Sequence, residues 1–241
     1  MKTFVSLCAA LLTVSSASAA LADDVEYDRP EPAMQARDWR DVVGRFELGY
    51  RGVFVTNAGY NPFSTQDYFS GVSLALSHTV FTRSRLSFGL GIAWDYGSSS
   101  ATSRGDASSL AVQRLMVPLE GRVHFGPWGY AFLRVAPGAA YERVELDDAS
   151  APTTLRKTQW LFATDASVGY AIPLLPMPER PGRSGRAWLQ GDVGYSWVAD
   201  QRLNLQPAQS SGDPAIADGV DLRNSLGLRG AFFRVAAAVS Y

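Results

Sequence analysis

Cysteine and histidine are nearly absent from this sequence of 241 residues, which contains one cysteine and two histidines. The single cysteine, Cys8, lies within an N-terminal apolar stretch that we expect to be removed from the mature chain. Disulfide bonds, thiol chemistry and thiolate metal ligands are therefore excluded for the mature protein. No metal ion and no cofactor are expected.

Long apolar runs and a surplus of basic residues are also missing. After Ala22, no apolar run reaches the roughly eighteen residues that identify a membrane-spanning helix. Lys and Arg together number 22 and Asp and Glu together number 23, which gives a formal net charge of −1. Nucleic-acid-binding proteins typically carry a clear excess of basic residues, so no nucleic-acid partner is expected.

The N-terminus has the three parts of a secretory signal peptide. Met1 and Lys2 supply a positive start, residues 4–14 an apolar run, and residues 15–22 a small-residue stretch in which cleavage after Ala19 or Ala22 is possible. We therefore predict a cleaved signal peptide at residues 1–22. A charged periplasmic tail without alternation is predicted at residues 23–44.

From Arg45 onward, apolar and polar residues alternate in eight segments, as in strands whose two faces differ. In the clearest segment, six alternate residues from Leu86 to Tyr96 are large and apolar, and small or acidic residues lie between them. The predicted strands are 45–56, 67–79, 86–97, 109–125, 129–144, 158–172, 186–198 and 226–241.

The distribution of charge on these strands predicts that the apolar face points outward. A soluble barrel of the lipocalin type would have the opposite arrangement, with an apolar interior. Short connections at 80–84 and 126–128 alternate with longer ones, as in outer-membrane barrels. Residues 45–241 are therefore predicted to form an all-β, eight-stranded antiparallel up-and-down transmembrane β-barrel, a monomer in contact with outer-membrane lipid.

Aromatic residues near both ends of the strands predict two girdles at the membrane surfaces. The outer girdle comprises Trp94, Tyr96, Trp160, Tyr195 and Trp197, and the inner girdle comprises Phe46, Phe125, Tyr170 and Tyr241. Pro118 and Pro137 lie inside predicted strands, where proline cannot donate to the hydrogen-bond ladder. We expect a β-bulge near each of them.

The last strand carries a recognisable terminal pattern: polar-x-Gly-x-x-apolar-x-aromatic. Arg234, Val239 and Tyr241 match this pattern, and Ala236 occupies the position where glycine is usual. In this pattern and in its alternation over residues 45–241, the sequence resembles the small outer-membrane β-barrel proteins of the OmpA/OmpX type. The resemblance implies recognition of the last strand by the barrel-assembly machinery. We expect this strand to close on the first strand, whose apolar face matches it.

Ten charged residues share the inward face of the strands and form a predicted lumen charge network. Eight strands enclose a lumen just wide enough for side chains, so these charges must pair with one another or with trapped water. One interpretation is a plug that fixes the shape of the barrel; the other is a narrow, gated ion path. The network comprises Glu47, Arg51, Arg114, Glu120, Arg122, Arg134, Glu142, Asp165, Asp192 and Arg234.

The sequence contains no catalytic motif of the G-x-S-x-G or H-E-x-x-H type. His78 shares the outward parity of its strand, whereas its neighbour Ser77 points inward, and His124 lies near the inner mouth. No catalytic residue is therefore predicted. We expect a non-enzymatic barrel that contributes to envelope integrity or to surface contact through its loops. A narrow pore for ions or small solutes is the first alternative, and a lipid-acting outer-membrane hydrolase is the second.

Overall fold

The computed structural model of the chain describes residues 44–103, 106–147, 154–176, 185–207 and 220–241. The predicted signal peptide (1–22) and the predicted tail (23–44) lie outside the described residues, except for Gly44, which begins the first strand. Strands account for most of the described residues, together with two short 3-10 turns at Ala58–Phe63 and Gly126–Trp128. None of the helical segments described is long and apolar enough to cross a membrane.

Eight strand positions close into an antiparallel ring, which confirms the predicted fold class. Each position pairs with the next along the chain, in up-and-down order. β4 and β5 lie end to end and together form one of the eight positions, next to β3. β9 and β10 form an additional hairpin, in which β9 pairs with the first two residues of β7. The strands are β1 (Gly44–Phe54), β2 (Tyr68–Arg83), β3 (Leu86–Ser103), β4 (Asp106–Met116), β5 (Leu119–His124), β6 (Tyr130–Asp147), β7 (Leu155–Pro176), β8 (Arg186–Val198), β9 (Gln201–Pro207), β10 (Val220–Leu226) and β11 (Gly230–Ser240).

The last strand closes on the first, as the sequence predicts. β11 pairs antiparallel with β1 over nine residue pairs, from Arg45 opposite Ser240 to Val53 opposite Phe232. Beyond this ladder, the backbones of Gly44 and Tyr241 exchange two hydrogen bonds of 3.1 and 2.9 Å. The ring therefore has no open edge that could pair with another chain.

Pro137 lies in β6 and Pro118 in the two-residue gap between β4 and β5, and neither is accompanied by a β-bulge, so the bulge expected near each proline is wrong. The register on both sides of β4 and β5 is the same before and after the interruption between them. Val117 N–H donates to Pro137 O at 2.8 Å, and Pro118 O accepts from Gly91 N–H at 3.0 Å. Each proline lacks only a donor and keeps its carbonyl in the ladder, so the strand continues without an inserted residue.

The two ends of the barrel differ in their connections. The terminal end carries Gly44, Tyr241 and the connections 84–85, 125–129 and 177–185. The loop end carries the connections 55–67, 104–105, 148–154 and 199–229. The hairpin of β3 and β4 remains paired up to Ser103 and Asp106, which shortens the loop expected there. Small polar residues occupy both faces of this hairpin, so no apolar alternation marks its outermost part.

An apolar core fills the interior at the loop end, where a polar lumen was expected. The rings of Tyr60 and Phe63, from the first 3-10 turn, are fully buried there, and Leu205 and Leu226 reach the same core from β9 and β10. The turn is held in place because Tyr60 OH donates to the carbonyl of Tyr68 at 2.9 Å. The loop segments therefore seal this end of the barrel with side chains that water does not solvate well.

The connection between β5 and β6 requires a glycine at position 129. Gly129 has φ 110° and ψ −149°, and an added Cβ would lie 2.0 Å from the carbonyl oxygen of Ala171. L side chains rarely adopt this conformation, at a cost of about 1–3 kcal/mol before the backbone contact is counted. We expect Gly129→Ala to lower the free energy of unfolding by at least this amount, measured by urea titration of the protein in detergent micelles.

Gly121→Ala is the matched control for this substitution. Gly121 lies in β5, and an added Cβ there would meet nothing within 4 Å. The control should unfold within about 0.5 kcal/mol of the unsubstituted protein. Equal urea midpoints for the two variants would show that the Gly129 backbone can relax.

Candidate functional site in the barrel interior

Alternate residues of the ring strands point into the barrel because the side-chain period of a strand is two. The structure places all ten residues of the predicted lumen network on this inner face, nine of them buried and Asp165 with its side chain 13% exposed. Arg45 and Asp95 also lie there, although the predicted network omits them. Their parity alone could have identified both, since each lies two residues from another inward position.

Three arginines and two glutamates form a cluster near the terminal end, here called the terminal-end cluster. Glu120 Oε1 accepts from Arg122 Nε at 2.5 Å and from Arg45 Nη2 at 3.2 Å, and its Oε2 accepts from Arg134 Nε at 2.7 Å. Arg45 and Arg134 also pair with Glu47. Because β1 and β5 are not adjacent in the ring, these ion pairs bridge the lumen.

A second group, the middle cluster, lies further toward the loop end. Asp165 accepts from Arg51 Nη2 at 3.0 Å and from both terminal nitrogens of Arg114 at 3.0 and 2.9 Å. Arg114 also pairs with Asp95 and donates to Ser196 Oγ at 3.2 Å. Two guanidinium groups and two carboxylates balance here. The cluster joins β1, β3, β4 and β7 across the barrel.

The remaining inward charges are paired with their neighbours on the wall. Arg234 donates Nε and Nη2 to the two carboxylate oxygens of Asp192 at 2.9 and 3.0 Å, in a bidentate pair between β11 and β8. Glu142 is fully buried next to the apolar core and accepts a hydrogen bond from the side chain of Gln201. Buried charges are tolerated only when paired or hydrogen-bonded, and this interior largely meets that condition.

The terminal-end cluster is not neutral. Arg45, Arg122 and Arg134 form ion pairs with Glu47 and Glu120, which leaves one positive charge in excess among these five residues. Aromatic faces lie beside the excess charge: the guanidinium carbons of Arg45 and Arg122 are 5.5 and 5.4 Å from the ring centroid of Tyr130. A ring face attracts cations at this distance, but it supplies no countercharge.

A serine–histidine contact that no sequence motif indicates lies at the same end. Ser87 Oγ and His124 Nε2 are 2.6 Å apart, and both residues are buried. The two positions have the inward parity of adjacent strands, but only the register of β3 with β5 brings them together. His78, by contrast, is exposed on the outer face, as its parity predicts.

Small cavities lie between the side chains of the interior, and two of them adjoin the charged clusters. One, of about 20 Å³, is lined by Arg51, Asp95 and Arg114 of the middle cluster and by apolar residues above them. The other, of about 30 Å³, lies at the terminal end beside Arg45, Arg122 and Tyr130. A water molecule needs roughly 10–15 Å³ of such space, so each cavity has room for only one to about three waters.

The predicted girdle residues all lie on the outer face of the barrel. Toward the loop end, Trp94 stacks on Tyr96 and Phe162 packs against Trp197. Toward the terminal end, Phe125 stacks on Tyr170, whose hydroxyl donates to the carbonyl of Trp128 at 2.9 Å. The exposed girdle residues are Trp94, Tyr96, Trp160, Tyr195, Trp197, Phe46, Phe125, Tyr170 and Tyr241.

The fold and its interior together define a class: a closed eight-stranded antiparallel barrel with an apolar exterior and paired charges inside. No protein-family model and no curated protein matches the chain. Twelve chains of solved structures match it. Three of them, all at low sequence identity, are the following.

The attachment invasion locus protein Ail of Yersinia pestis, solved in complex with the heparin analogue sucrose octasulfate, is 9% identical, with 83% of this chain and 99% of that chain covered and a TM-score of 0.44. The outer membrane protease OmpT from Escherichia coli is 10% identical, with coverages of 85% and 97% and a TM-score of 0.46. The transport unit of the autotransporter AIDA-I from Escherichia coli is 12% identical, with coverages of 86% and 92% and a TM-score of 0.37.

Proposed function

We propose that this chain is a non-enzymatic, monomeric integral outer-membrane β-barrel with a plugged, charged lumen. Its contribution is to envelope integrity or to surface contact through the connections at its loop end. The observation that carries the proposal is the inverted polarity of the barrel. Most of the ion pairs among the described residues are buried inside, and large apolar side chains face outward.

The outward face is too apolar for a barrel surrounded by water. Ile92 and Leu133 are each 62% exposed, and Trp160 is 66% exposed. Such side chains recur around the ring, whereas soluble monomers rarely expose a continuous apolar patch of this extent. A closed barrel satisfies all backbone groups of its ring within the sheet, which is the condition for strands to cross a bilayer.

The interior favours a plug over a pore. The terminal-end and middle clusters place ion pairs across the lumen, and the apolar core with Tyr60 and Phe63 covers the loop end. Two cavities among the described residues of the lumen have volumes of about 20 and 30 Å³. A conducting path would need a continuous water-filled channel, and these two spaces are lined by different residues.

The proposed orientation follows from the two ends of the barrel. The signal-peptide pattern of residues 1–22 favours export, and the terminal pattern that ends at Tyr241 favours recognition of β11 by the barrel-assembly machinery. In that arrangement the terminal end faces the periplasm and the loop end faces the outside. Outer-membrane lipid is then the main partner of the chain.

The proposal is tested by locating the protein and recording its conductance. Expressed in a Gram-negative host, it should be recovered in the outer-membrane fraction and should migrate differently in SDS gels before and after heating. Reconstituted in planar bilayers, it should produce no conductance steps. Recovery as a soluble protein would refute the location.

Conductance steps would refute the plug and favour the pore alternative. Arg122→Ala serves as the diagnostic variant because Arg122 lies in the lumen, and Arg143→Ala serves as its control because Arg143 is exposed outside the ring. Conductance steps whose size changes in Arg122→Ala and not in Arg143→Ala would show that ions pass through the lumen.

A further inference from the structure

The cavity of about 30 Å³ at the terminal end, here called the mouth pocket, is lined by hydrogen-bond donors that the ion pairs of the lumen leave unpaired. Its lining includes Arg45, Thr79, Ser87, Arg122, His124 and Tyr130, next to Gly44 and Ser240 at the start of β1 and the end of β11. No carboxylate is among the described residues that line it. The pocket is therefore cationic and rich in hydrogen-bond donors.

Several buried donors of these residues have no partner in the part of the chain that the structure describes. They are Nε and Nη1 of Arg45, Nη2 of Arg122 and the hydroxyl of Tyr130. Arg45 is 4%, Arg122 7% and Tyr130 3% exposed, so bulk water does not solvate them well. An unpaired buried donor is unfavourable, and more so when it is charged.

The positions of the two guanidinium groups are set by contacts that leave these donors unused. Arg122 donates Nε to Glu120 at 2.5 Å and Nη1 to Thr79 Oγ1 at 3.0 Å, and its Nη2 is the nitrogen left without a partner among the described residues. Arg45 uses Nη2 for Glu47 and Glu120. Both groups also lie beside the ring of Tyr130. The donors are thus held in place before any ligand arrives.

The excess positive charge and the unpaired donors both favour an anionic ligand with oxygen acceptors. The terminal-end cluster has three arginines and two glutamates, so one further negative charge would balance it. Oxygen atoms of an anion would accept from the guanidinium N–H groups in charge-assisted hydrogen bonds, for which arginine geometry is well suited. The volume has room for about two oxygen-sized atoms, which fits part of a tetrahedral oxyanion.

We propose that the mouth pocket binds a phosphate group, held by Arg45, Arg122 and the hydroxyl of Tyr130. The phosphate can be inorganic phosphate or the headgroup of a lipid, which share the oxygens and the charge that the pocket recognises. This site is separate from the proposed role of the barrel in the envelope. It can be tested on the folded protein in detergent whatever the location of that protein.

The experiment is calorimetric titration of the full chain, folded in non-ionic detergent, with sodium phosphate at constant ionic strength. Saturable binding at one site is expected, with sodium chloride giving none. Arg122→Gln should weaken the affinity about tenfold or more, because a charged donor is lost. Arg143→Gln, which changes an arginine on the exposed outer surface, should leave the affinity unchanged.

Tyr130→Phe keeps the proposal falsifiable if Arg122→Gln does not fold. The hydroxyl of Tyr130 has no protein partner in the described residues, so its removal should leave the barrel intact. The affinity for phosphate should fall about three- to tenfold, the value of one neutral hydrogen bond. The same affinity in this variant, in Arg143→Gln and in the unsubstituted protein would overturn the proposal, as would the absence of saturable binding.

Two further arms identify the source of the ligand and its main competitor. Competition by phosphatidic acid in mixed micelles would assign the pocket to a lipid headgroup, and binding of phosphate without such competition would assign it to the free ion; either result supports the site. Residues 23–43 contain seven carboxylates. Binding that occurs only after Asp38→Asn and Asp41→Asn would show that the chain's own carboxylates fill the pocket, which overturns the proposal.

Discussion

Glu120→Ala is expected to lower the free energy of unfolding of the barrel by about 3–5 kcal/mol, a value typical of removing one partner from a buried ion pair. Glu120 is 3% exposed and contacts Arg45, Arg122 and Arg134, so its loss removes an ion pair from each of three guanidinium groups. The penalty arises mainly from these uncompensated cations and less from the lost contacts themselves. Urea unfolding of the purified barrel in micelles, followed by the heat-dependent shift in SDS gels, measures it.

Glu145→Ala is the matched control because it removes the same side chain from an exposed ion-pair group. Glu145 pairs with Arg143 at 2.6 Å and with Arg156 at 3.2 Å on the outside of the ring. Ion pairs in contact with water contribute about 0–1 kcal/mol, so this variant should unfold close to the unsubstituted protein. A similar decrease in the free energy of unfolding of Glu120→Ala and Glu145→Ala would mean that the lumen is well hydrated, which would contradict the proposed plug.

Glu120→Gln separates charge from packing. Glutamine has nearly the volume of glutamate but cannot balance the arginines. If Glu120→Gln lowers the free energy of unfolding as much as Glu120→Ala does, the effect is due to the lost charge. A much smaller decrease would show that the effect of Glu120→Ala is due to the lost side-chain volume.

Leu90→Arg is expected to lower the free energy of unfolding by about 2–4 kcal/mol in a bilayer, the cost of an arginine near the midplane on the lipid face of a barrel. Leu90 is 42% exposed and lies on the outward face of β3, about midway between the turn at 84–85 and the aromatic pair Trp94 and Tyr96. On a soluble barrel, the same exposed position would tolerate arginine within about 0.5 kcal/mol. Reversible urea unfolding in phospholipid vesicles distinguishes the two cases.

Ser98→Arg is the control for this second prediction. Ser98 is exposed on the same face of the same strand, one outward position beyond Tyr96. Near the membrane surface, arginine costs only about 0–1 kcal/mol. If Leu90→Arg proves as mild as Ser98→Arg, the outer face of β3 does not contact the hydrocarbon core, and the membrane proposal fails for this strand.

The ring of the barrel could be predicted well because its signal is local. In β3, the apolar residues from Leu86 to Tyr96 and the small residues between them fixed the two faces without any knowledge of neighbouring strands. The same reasoning identified the closure of β11 on β1. The prolines are the exception, because the missing donor at Pro118 does not require an inserted residue. The ladder instead keeps its register through the carbonyl of Pro118.

The apolar core at the loop end could not be predicted in this way. Tyr60 and Phe63 lie in a connection without strand periodicity, and Leu205 lies in a segment that resembles a long loop in sequence. Leu226, the predicted first residue of the last strand, instead ends β10. Their burial depends on how the connections fold over the ring, which no local pattern encodes. Arg45 and Asp95, which the predicted network omits, both have inward parity. Applying the alternation to every charged residue of β1 and β3 would have included them.

The alternation of residue types along each strand specifies which side chains point into the barrel and which point out, because a strand alternates its faces with a period of two residues and that period is visible in any short segment. Which inward groups meet depends on the assembled barrel. Arg45 and Glu120 are 75 residues apart on non-adjacent strands, and their contact depends on the register and closure of the whole ring. The same is true of the Ser87–His124 contact and of the unpaired donors in the mouth pocket, since a donor is paired or unpaired only with respect to everything that surrounds it.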